Sequence, residues 1–112
     1  MAGFFKGLLR ANSTLYGDLE GPMTNLKSGR LSISIEKGKC IAWIVGQDDI
    51  ELSTENVKNV EKLSDNIVIS NLASGGGKQY EVNVYKIEMK NGQVGTLRLV
   101  SRLEYKVLQL IK

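Results

Sequence analysis

The most regular pattern in this chain is an alternation of apolar and polar residues that recurs along most of its length. Residues 31–36 alternate with the period of a half-buried β-strand. Lys37 and Gly38 follow as a tight turn, and residues 39–46 form the partner strand. Further strands are predicted over residues 50–53, 67–72, 79–90 and 94–100, while residues 57–63 fit a strand or a single helical turn.

The strand over residues 39–46 is apolar on both of its faces. Two alternating sets of apolar side chains point to opposite sides: Cys40, Ala42 and Ile44 on one, and Ile41, Trp43 and Val45 on the other. A strand of an antiparallel sheet normally leaves one face in water. We therefore expect the second face to be covered by the N-terminal segment, by another chain or by a ligand.

The strand over residues 79–90 changes phase near its middle. Its apolar set begins as Tyr80, Val82 and Val84 and resumes one residue out of step as Tyr85, Ile87 and Met89. Such a shift predicts a β-bulge or a sharp bend near residues 84–85, and bends of this kind roll a sheet towards a barrel. Asn91 and Gly92 then predict a tight hairpin turn.

The end of the chain predicts an amphipathic helix. Ser101 and Glu104 have the spacing of a capping box, in which the hydroxyl accepts from the third helical amide and the carboxylate reaches back. Apolar residues follow at helical spacing: Leu103, Val107, Leu110 and Ile111. We expect this helix to plug the sheet.

The first dozen residues predict a second, shorter helix. Its apolar and basic side chains fall on opposite arcs: Phe4, Phe5, Leu8 and Leu9 against Lys6 and Arg10. This helix either docks on its own domain, which we favour, or binds a membrane surface or a partner. Residues 12–29 are a polar connector with a short strand near residues 23–26. We divide the chain into residues 1–22, the segment with its connector, and residues 23–112, one β domain.

Composition limits the chemistry that this chain can perform. The 112 residues suit one domain, and the 42% hydrophobic and 24% charged fractions are those of a soluble globular protein. The chain has no histidine and one cysteine, Cys40, so His-based catalysis and thiolate zinc sites are not expected. We expect no catalytic, metal or cofactor-binding residues, and no enzyme activity. The lone cysteine and the lack of a secretory signal favour the cytoplasm.

Three local signals have simpler interpretations than the functions they suggest. The Gly-rich run at residues 75–78 lacks the Ser or Thr of a phosphate-binding loop, so we interpret it as a hairpin loop. Asp48, Asp49 and Glu51 lie in or beside a turn, where general acid–base catalysis is not expected. The net charge of +3 is mild and no aromatic pair marks an RNA-binding strand, so nucleic acid is not an expected partner.

Residues 49–52, 57–61, 85–92 and 97–111, with the opening Gly3-Phe4-Phe5, give the chain a family resemblance. In its hydrophobic and turn pattern it resembles a bacterial pleckstrin-homology-like (PH-like) domain. The resemblance implies a strongly bent antiparallel sheet or partly open barrel of about seven strands, plugged by the C-terminal helix. It also implies binding of lipid headgroups, peptides or protein chains, and oligomers in some members.

Two functions follow as expectations. The first is a non-enzymatic interaction module that binds a protein partner, or a second copy of itself, through Phe4, Phe5, Leu8 and Trp43. The alternative is a domain that binds a small ligand or an anionic lipid headgroup at the membrane surface. Its ligand residues are three cations that form a thin version of the family's basic cluster: Arg30, Lys37 and Lys39.

Overall fold

The computed structural model describes residues 14–21, 29–73 and 75–112 of the chain. These residues form one seven-stranded antiparallel sheet and one C-terminal helix, which confirms the mainly β class. The strands are β1 (Gly17–Glu20), β2 (Arg30–Glu36), β3 (Lys39–Trp43), β4 (Ile50–Leu52), β5 (Val57–Ile69), β6 (Tyr80–Met89) and β7 (Val94–Val100). A 3₁₀ turn (Ser101–Leu103) leads into helix α1 (Glu104–Ile111). The predicted N-terminal helix and the strand near residues 23–26 lie outside the described residues.

The connection between β4 and β5 forces the sheet to curl. Across the sheet the strand order is β4-β3-β2-β1-β7-β6-β5, so β4 and β5 are its two edges. In a flat sheet of this size the edges would lie about 29 Å apart, whereas the chain from Leu52 to Val57 can span at most about 18 Å. The edges therefore approach each other at residues 53–56. They do not pair, so the sheet stays open.

The corner at residues 53–56 is held by hydrogen bonds within the turn. The Asn56 side chain donates to the Glu51 carbonyl at 2.5 Å and accepts from the Ser53 N–H at 2.9 Å. The Asn56 carbonyl accepts from the N–H of Lys90 at 2.9 Å, which ties the corner to the end of β6. A short polar turn is thus enough to fix both edges of the sheet at one place.

One face of the sheet carries the main apolar core. We call it the core face, because α1 packs against it, and we call the opposite side the outer face. Val107 and Ile111 of α1 are buried there among residues of β1 to β7. The strand residues of this cluster are Leu19, Leu31, Ile33, Cys40, Ala42, Leu52, Val57, Val60, Tyr85, Ile87, Met89, Leu97 and Leu99. The helix plugs the open sheet as predicted.

The outer face carries a second, smaller apolar cluster, and this cluster explains the phase change within β6. Leu72, Val82 and Val100 form its buried centre, and Val84 packs against them. Tyr85, the next residue, faces the core. The register between β6 and β7 is continuous, so β6 has no bulge on that side. The irregularity opposite residues 84–85 is on the facing strand β5, between Lys62 and Ser64. Side chains alternate regularly between the two faces along β6. Apolar residues pack on the outer face at Val82 and Val84, and on the core face from Tyr85 to Met89.

The irregularities of the sheet lie in β5 instead. Its register against β6 shifts between Val57 and Asn59, between Lys62 and Ser64, and again before Ile67. Sequence analysis placed two elements here, over residues 57–63 and 67–72, whereas the structure has one strand of 13 residues. Asn66 adopts a positive φ of 52° inside that strand, which is a local irregularity and not an end of pairing.

Strand β1 was missed by the sequence analysis, which placed residues 17–20 in the polar connector. It pairs with β2 on one side and with β7 on the other, at the middle of the sheet. Only Leu19 of its four residues belongs to the core cluster, while Asp18 is a buried carboxylate on the outer face. The connector prediction was wrong because two neighbouring strands, and not the strand's own apolar residues, hold β1 in place.

The predicted capping box does not form. Neither the 3₁₀ turn nor α1 has a side-chain hydrogen bond at its N-cap, and Glu104 is the first residue of α1. Its carboxylate instead accepts hydrogen bonds from the Tyr85 hydroxyl at 2.6 Å and from the Asn83 amide at 2.7 Å. The start of the helix is therefore fixed by strand β6. No helix in the described ranges is long and apolar enough to span a bilayer.

Candidate functional site

The three predicted ligand cations do not converge on one site. Arg30 lies at the start of β2, and Lys37 and Lys39 lie beyond its other end, so about 20 Å of strand separates them. The Arg30 guanidinium contacts the Glu20 carboxylate at 3.4 Å and donates to the Asn71 carbonyl at 3.0 Å. The Lys39 ammonium lies 3.5 Å from a carboxylate, that of Glu51 on β4. Two of the three cations are thus already engaged within the chain.

Of the predicted partner-binding residues, the structure describes Trp43 alone; Phe4, Phe5 and Leu8 lie outside the described residues. Trp43 points to the outer face and is 4% exposed. Its indole N–H donates to the Ser34 hydroxyl at 2.8 Å. A buried indole cannot contact a partner directly, so binding at Trp43 would require whatever covers the ring to move.

A buried ion pair holds the β5–β6 connection against the outer face. Asp18 and Arg98 lie directly opposite each other on β1 and β7. The Asp18 carboxylate is 0% exposed and accepts hydrogen bonds from both Nε and Nη2 of Arg98, the first at 2.7 Å. It also accepts from the Ala73 N–H at 3.2 Å. The hydrogen bond that Arg98 donates to Asp18 raises the pKa of Arg98, so the guanidinium stays protonated.

A second polar network links α1 to β6 on the core side. Asn83 donates to Glu104, and its amide oxygen accepts from Ser101 at 3.3 Å and from the backbone of Asn66 at 2.8 Å. The pKa of Tyr85 is raised well above its ordinary value, first by burial and then by the hydrogen bond to Glu104. The phenol therefore stays protonated near neutral pH and donates to the carboxylate. We interpret this network as structural, because its groups hydrogen-bond to one another.

Asp48, Asp49 and Cys40 lie in different surroundings. Asp48 and Asp49 lie exposed in the turn between β3 and β4. Cys40 is buried in the core cluster, and burial raises the pKa of its thiol to about 12, which keeps it protonated at neutral pH. The described ranges contain no group of three or more side chains able to hold a metal ion.

An open groove of about 450 Å³ lies between the first half of β5 and the end of α1. Val57, Val60 and Ile111 form its apolar floor, and all three are buried members of the core cluster. Its walls are polar and are formed by Thr54, Lys58, Asn59 and Lys112. Because β5 is an edge of the sheet that the described residues form, one wall of the groove is backbone that pairs with no other described strand.

The direction of the backbone groups in β5 follows from the hairpin beyond it. The Met89 N–H donates to the Gln93 carbonyl at 2.8 Å and so points towards β7. Backbone direction alternates along a strand, so the residues two and four before Met89 also point towards β7. Their partners on β5 are Val60 and Lys62, which therefore direct their N–H and C=O groups away from β6, into the open edge.

Further along β5, several apolar side chains are exposed. Val68 is 63% exposed and Leu63 is 54% exposed, beside the less exposed Ile67. Sequence analysis did not single out this edge, because the position of a strand within a sheet is a tertiary property. The available signal was the frequency of charged residues between residues 58 and 65, a composition typical of edge strands.

Comparisons with known proteins do not extend this description. No protein-family model, curated protein or solved structure matches the chain. The groove beside β5 combines an apolar floor with backbone groups that point away from β6.

Proposed function

We propose that this chain is a non-enzymatic interaction module that binds an extended segment of a protein partner along the edge of β5. The observation that carries this proposal is the outward direction of the backbone groups of Val60 and Lys62, beside a groove of about 450 Å³ with an apolar floor. In such strand addition, backbone hydrogen bonds supply affinity and alternate side-chain pockets supply specificity.

The groove gives an added strand different surroundings on its two faces. A strand beside β5 would lie about 4.8 Å from it, between the edge and the end of α1. Alternate side chains would point down towards Val60 and Ile111, where the floor is apolar. The other set would point to the outer face, where Lys58 and Glu88 form an ion pair at 3.8 Å. A suitable ligand therefore alternates apolar with polar residues.

The irregular register of β5 limits the length of the binding site. The shifts before Asn59 and after Lys62 leave residues 59–62 as the regular part of the edge beside the groove. Bulges and charged residues on an edge strand oppose open-ended pairing between copies. The same features favour one short partner segment over self-association. Affinity would then depend on a few backbone hydrogen bonds, each contributing about 0.5–1.5 kcal/mol, together with the apolar contacts.

We also propose that the chain is a PH-like domain. The support is architectural: a bent, open antiparallel sheet of seven strands with a C-terminal helix packed on one face. The alternative function, binding of an anionic headgroup by Arg30, Lys37 and Lys39, has less support. Arg30 and Lys39 already contact carboxylates of the chain, at 3.4 and 3.5 Å. An added phosphate would have to compete with both.

The test begins with selection of binders from a random peptide library against the full chain. A selected peptide is then titrated by calorimetry against the wild-type chain, Lys62→Pro and Lys62→Ala. Proline removes an N–H that points away from β6, so the ladder inside the sheet is kept while a donor to the ligand is lost. We expect Lys62→Pro to weaken binding by about tenfold, equivalent to about 1.4 kcal/mol, and Lys62→Ala to have a smaller effect.

Thermal unfolding of both variants checks that the fold survives. Amide chemical shifts of the labelled chain locate the bound peptide, and we expect the largest changes in β5 and at the end of α1. Equal affinity of the two Lys62 variants, or shifts confined to Arg30, Lys37 and Lys39, would rule out the β5 edge as the binding site.

A further inference from the structure

Helix α1 runs along the first half of β5, on the core side of the proposed binding groove. At the end of the helix, Ile111 lies with Val60 in the floor of the groove. At its start, Glu104 accepts the hydrogen bond of Tyr85, whose partner on β5 is Lys62. The helix is therefore antiparallel to β5. A strand added beside this part of β5 would lie next to α1 along most of its length.

The solvent side of this helical segment is basic. Its exposed polar and aromatic side chains, together with one half-buried lysine, recur at the spacings of three and four residues that place them along one side of a helix. We call this set the basic stripe: Arg102, Tyr105, Lys106, Gln109 and Lys112. The Lys106 ammonium lies 6.0 Å from the centre of the Tyr105 ring. The carboxylate of the same segment, Glu104, points to β6 and bonds Asn83 and Tyr85.

The stability of α1 does not explain the cations at the start of the basic stripe. The helix dipole favours a cation at the C-terminal end, as at Lys112, and disfavours one at the N-terminal end. Arg102 and Lys106 lie just before and within the first turn of α1. None of the ion pairs between described residues includes either of them. By contrast Lys58 and Lys62, on β5 itself, already lie 3.8 and 3.1 Å from carboxylates of the chain.

The basic stripe and a short added strand have similar lengths. Arg102 and Lys112 lie about 15 Å apart along the helix axis, at 1.5 Å per residue. In a strand, residues four positions apart point to the same face and lie about 14 Å apart. The residue midway between them would meet Val60 and Ile111, which belong to the apolar floor. One face of the added strand can therefore place an apolar side chain on the floor and a charged side chain near each end of the stripe.

We propose that the partner segment is acidic, with Asp or Glu two positions before and two positions after the apolar residue that contacts the floor of the groove. One carboxylate pairs with Arg102 and Lys106, and the other pairs with Lys112. This inference rests on the proposed binding of an extended segment along β5. It adds the charge and the spacing that decide which segment binds there.

The first experiment compares the sequences of peptides selected from a random library against the full chain. We expect Asp and Glu to be enriched at two positions four residues apart, with an apolar residue midway between them. Selected peptides in which Asp and Glu are no more frequent than Ser or Lys at these positions would overturn the proposal. On the wild-type chain, raised salt should weaken a selected acidic peptide more than the same peptide with Asn and Gln in place of Asp and Glu. Equal salt dependence of the two peptides would also overturn it.

The second experiment titrates these two peptides by calorimetry against variants of the full chain. We expect Arg102→Gln with Lys106→Gln to weaken the acidic peptide about fivefold, since each exposed ion pair contributes little, and to leave the amide peptide unchanged. Lys86→Gln with Lys90→Gln removes the same charge from exposed positions of β6 and the turn after it, and should change neither affinity. An equal loss for the two peptides, or an equal loss in the two double variants, would overturn the proposal. Thermal unfolding confirms that each variant is folded, and the salt dependence on the wild-type chain needs no variant.

The two Lys62 variants separate a failure of this inference from a failure of the proposed function. If Lys62→Pro binds the acidic peptide more weakly than Lys62→Ala, while Arg102→Gln with Lys106→Gln binds it like the wild-type chain, the β5 edge is the site and the acidic partner is wrong. If the two Lys62 variants bind equally, both proposals fail. Phosphatidylserine vesicles and a short DNA duplex are the remaining probes. Binding of either one that requires Arg102 and Lys106, without an effect of these residues on the peptide, would assign the basic stripe to another anionic partner and overturn the proposal.

Discussion

The two faces of this sheet are buried by different means. On the core face an extended apolar cluster packs against α1, while the outer face combines a smaller cluster with a buried ion pair and with Trp43. Adjacent residues of β1 show the contrast, since Leu19 and Asp18 are both 0% exposed and point to opposite faces. A strand can therefore be buried on both faces although only one of them is apolar in sequence.

The two means of burial respond differently to substitution. Loss of an apolar side chain from the core face costs the transfer free energy of the removed atoms and leaves a cavity. Loss of one partner of the Asp18–Arg98 pair leaves a buried or partly buried charge without compensation, which costs about 3–5 kcal/mol. The stability of the core face depends on how completely its volume is filled by apolar side chains. The stability of the outer face depends on a partner for each buried charge. Three predictions, beginning with the largest expected effect, test this difference.

Gly17→Ala should be the most destabilising, because Gly17 is where the chain changes from one face to the other. Tyr16 and Leu19 both pack against the core cluster although they are three residues apart, and Leu15 packs on the outer face. Gly17 has φ +153°, and an added Cβ would lie 1.9 Å from the Arg98 carbonyl oxygen. We expect a loss of about 4 kcal/mol or more in the free energy of unfolding, measured by urea titration.

Gly38→Ala is the control for Gly17→Ala, because it strains the backbone without a steric clash. Gly38 has φ +77° in the β2–β3 turn, and an added Cβ would meet no atom within 4 Å. We expect a cost of about 1 kcal/mol from the unfavourable φ alone. If the two alanine variants are equally stable, contact between β1 and β7 is not as close as described and both faces tolerate a shift of β1.

The Asp18–Arg98 pair should follow, and a double-mutant cycle measures it. We expect Asp18→Ala to cost about 3–5 kcal/mol, comparable with about 2–5 kcal/mol for Leu19→Ala on the other face. The double variant Asp18→Ala with Arg98→Ala should be less destabilised than the sum of the single changes, because no charge is left unpaired. Additive losses would show that the outer face is held by packing, as the core face is.

Cys40 should give an effect that depends on pH and appears only at alkaline pH. Burial raises the pKa of its thiol from 9.0 to about 12, so between these values the unfolded chain loses the proton first. Stability then falls as the pH rises, by at most about 1.4 kcal/mol per unit. We expect the wild-type chain to lose more stability than Cys40→Ala between about pH 9 and 11, measured by urea titration. Parallel pH profiles would mean that the thiol ionises in the folded core.

Local sequence patterns predicted the elements that depend on neighbouring residues. The β2–β3 hairpin turns at Lys37 and Gly38, both with positive φ, as the turn signal indicates. The β6–β7 hairpin and the final helix also form where predicted. In these elements the apolar period and the turn residues lie within one short stretch of chain. Such signals can be read before any tertiary contact is known.

The candidate site could be predicted much less well. The charged residues between residues 58 and 65 are typical of an edge strand, but they do not specify which backbone groups point away from the sheet. In the described sheet those groups belong to Val60 and Lys62. The charge of Arg30 and Lys39 is the reason for predicting them as ligand residues. In the fold, however, each contacts a carboxylate, from β1 and from β4 respectively. The charge of a side chain is known from the sequence, whereas the fold decides which carboxylate lies next to it.

The sequence by itself determined a mainly β domain with a terminal amphipathic helix, because apolar periodicity specifies which elements can bury a face. Only the tertiary structure decided that residues 17–20 form the central strand, that Glu104 bonds Tyr85 in place of a cap, and that the apolar residues of β6 serve two faces. The physical reason is the same for β1 and for Glu104. A polar residue can be buried wherever a distant strand supplies its hydrogen-bonding partner, and periodicity carries no information about that partner.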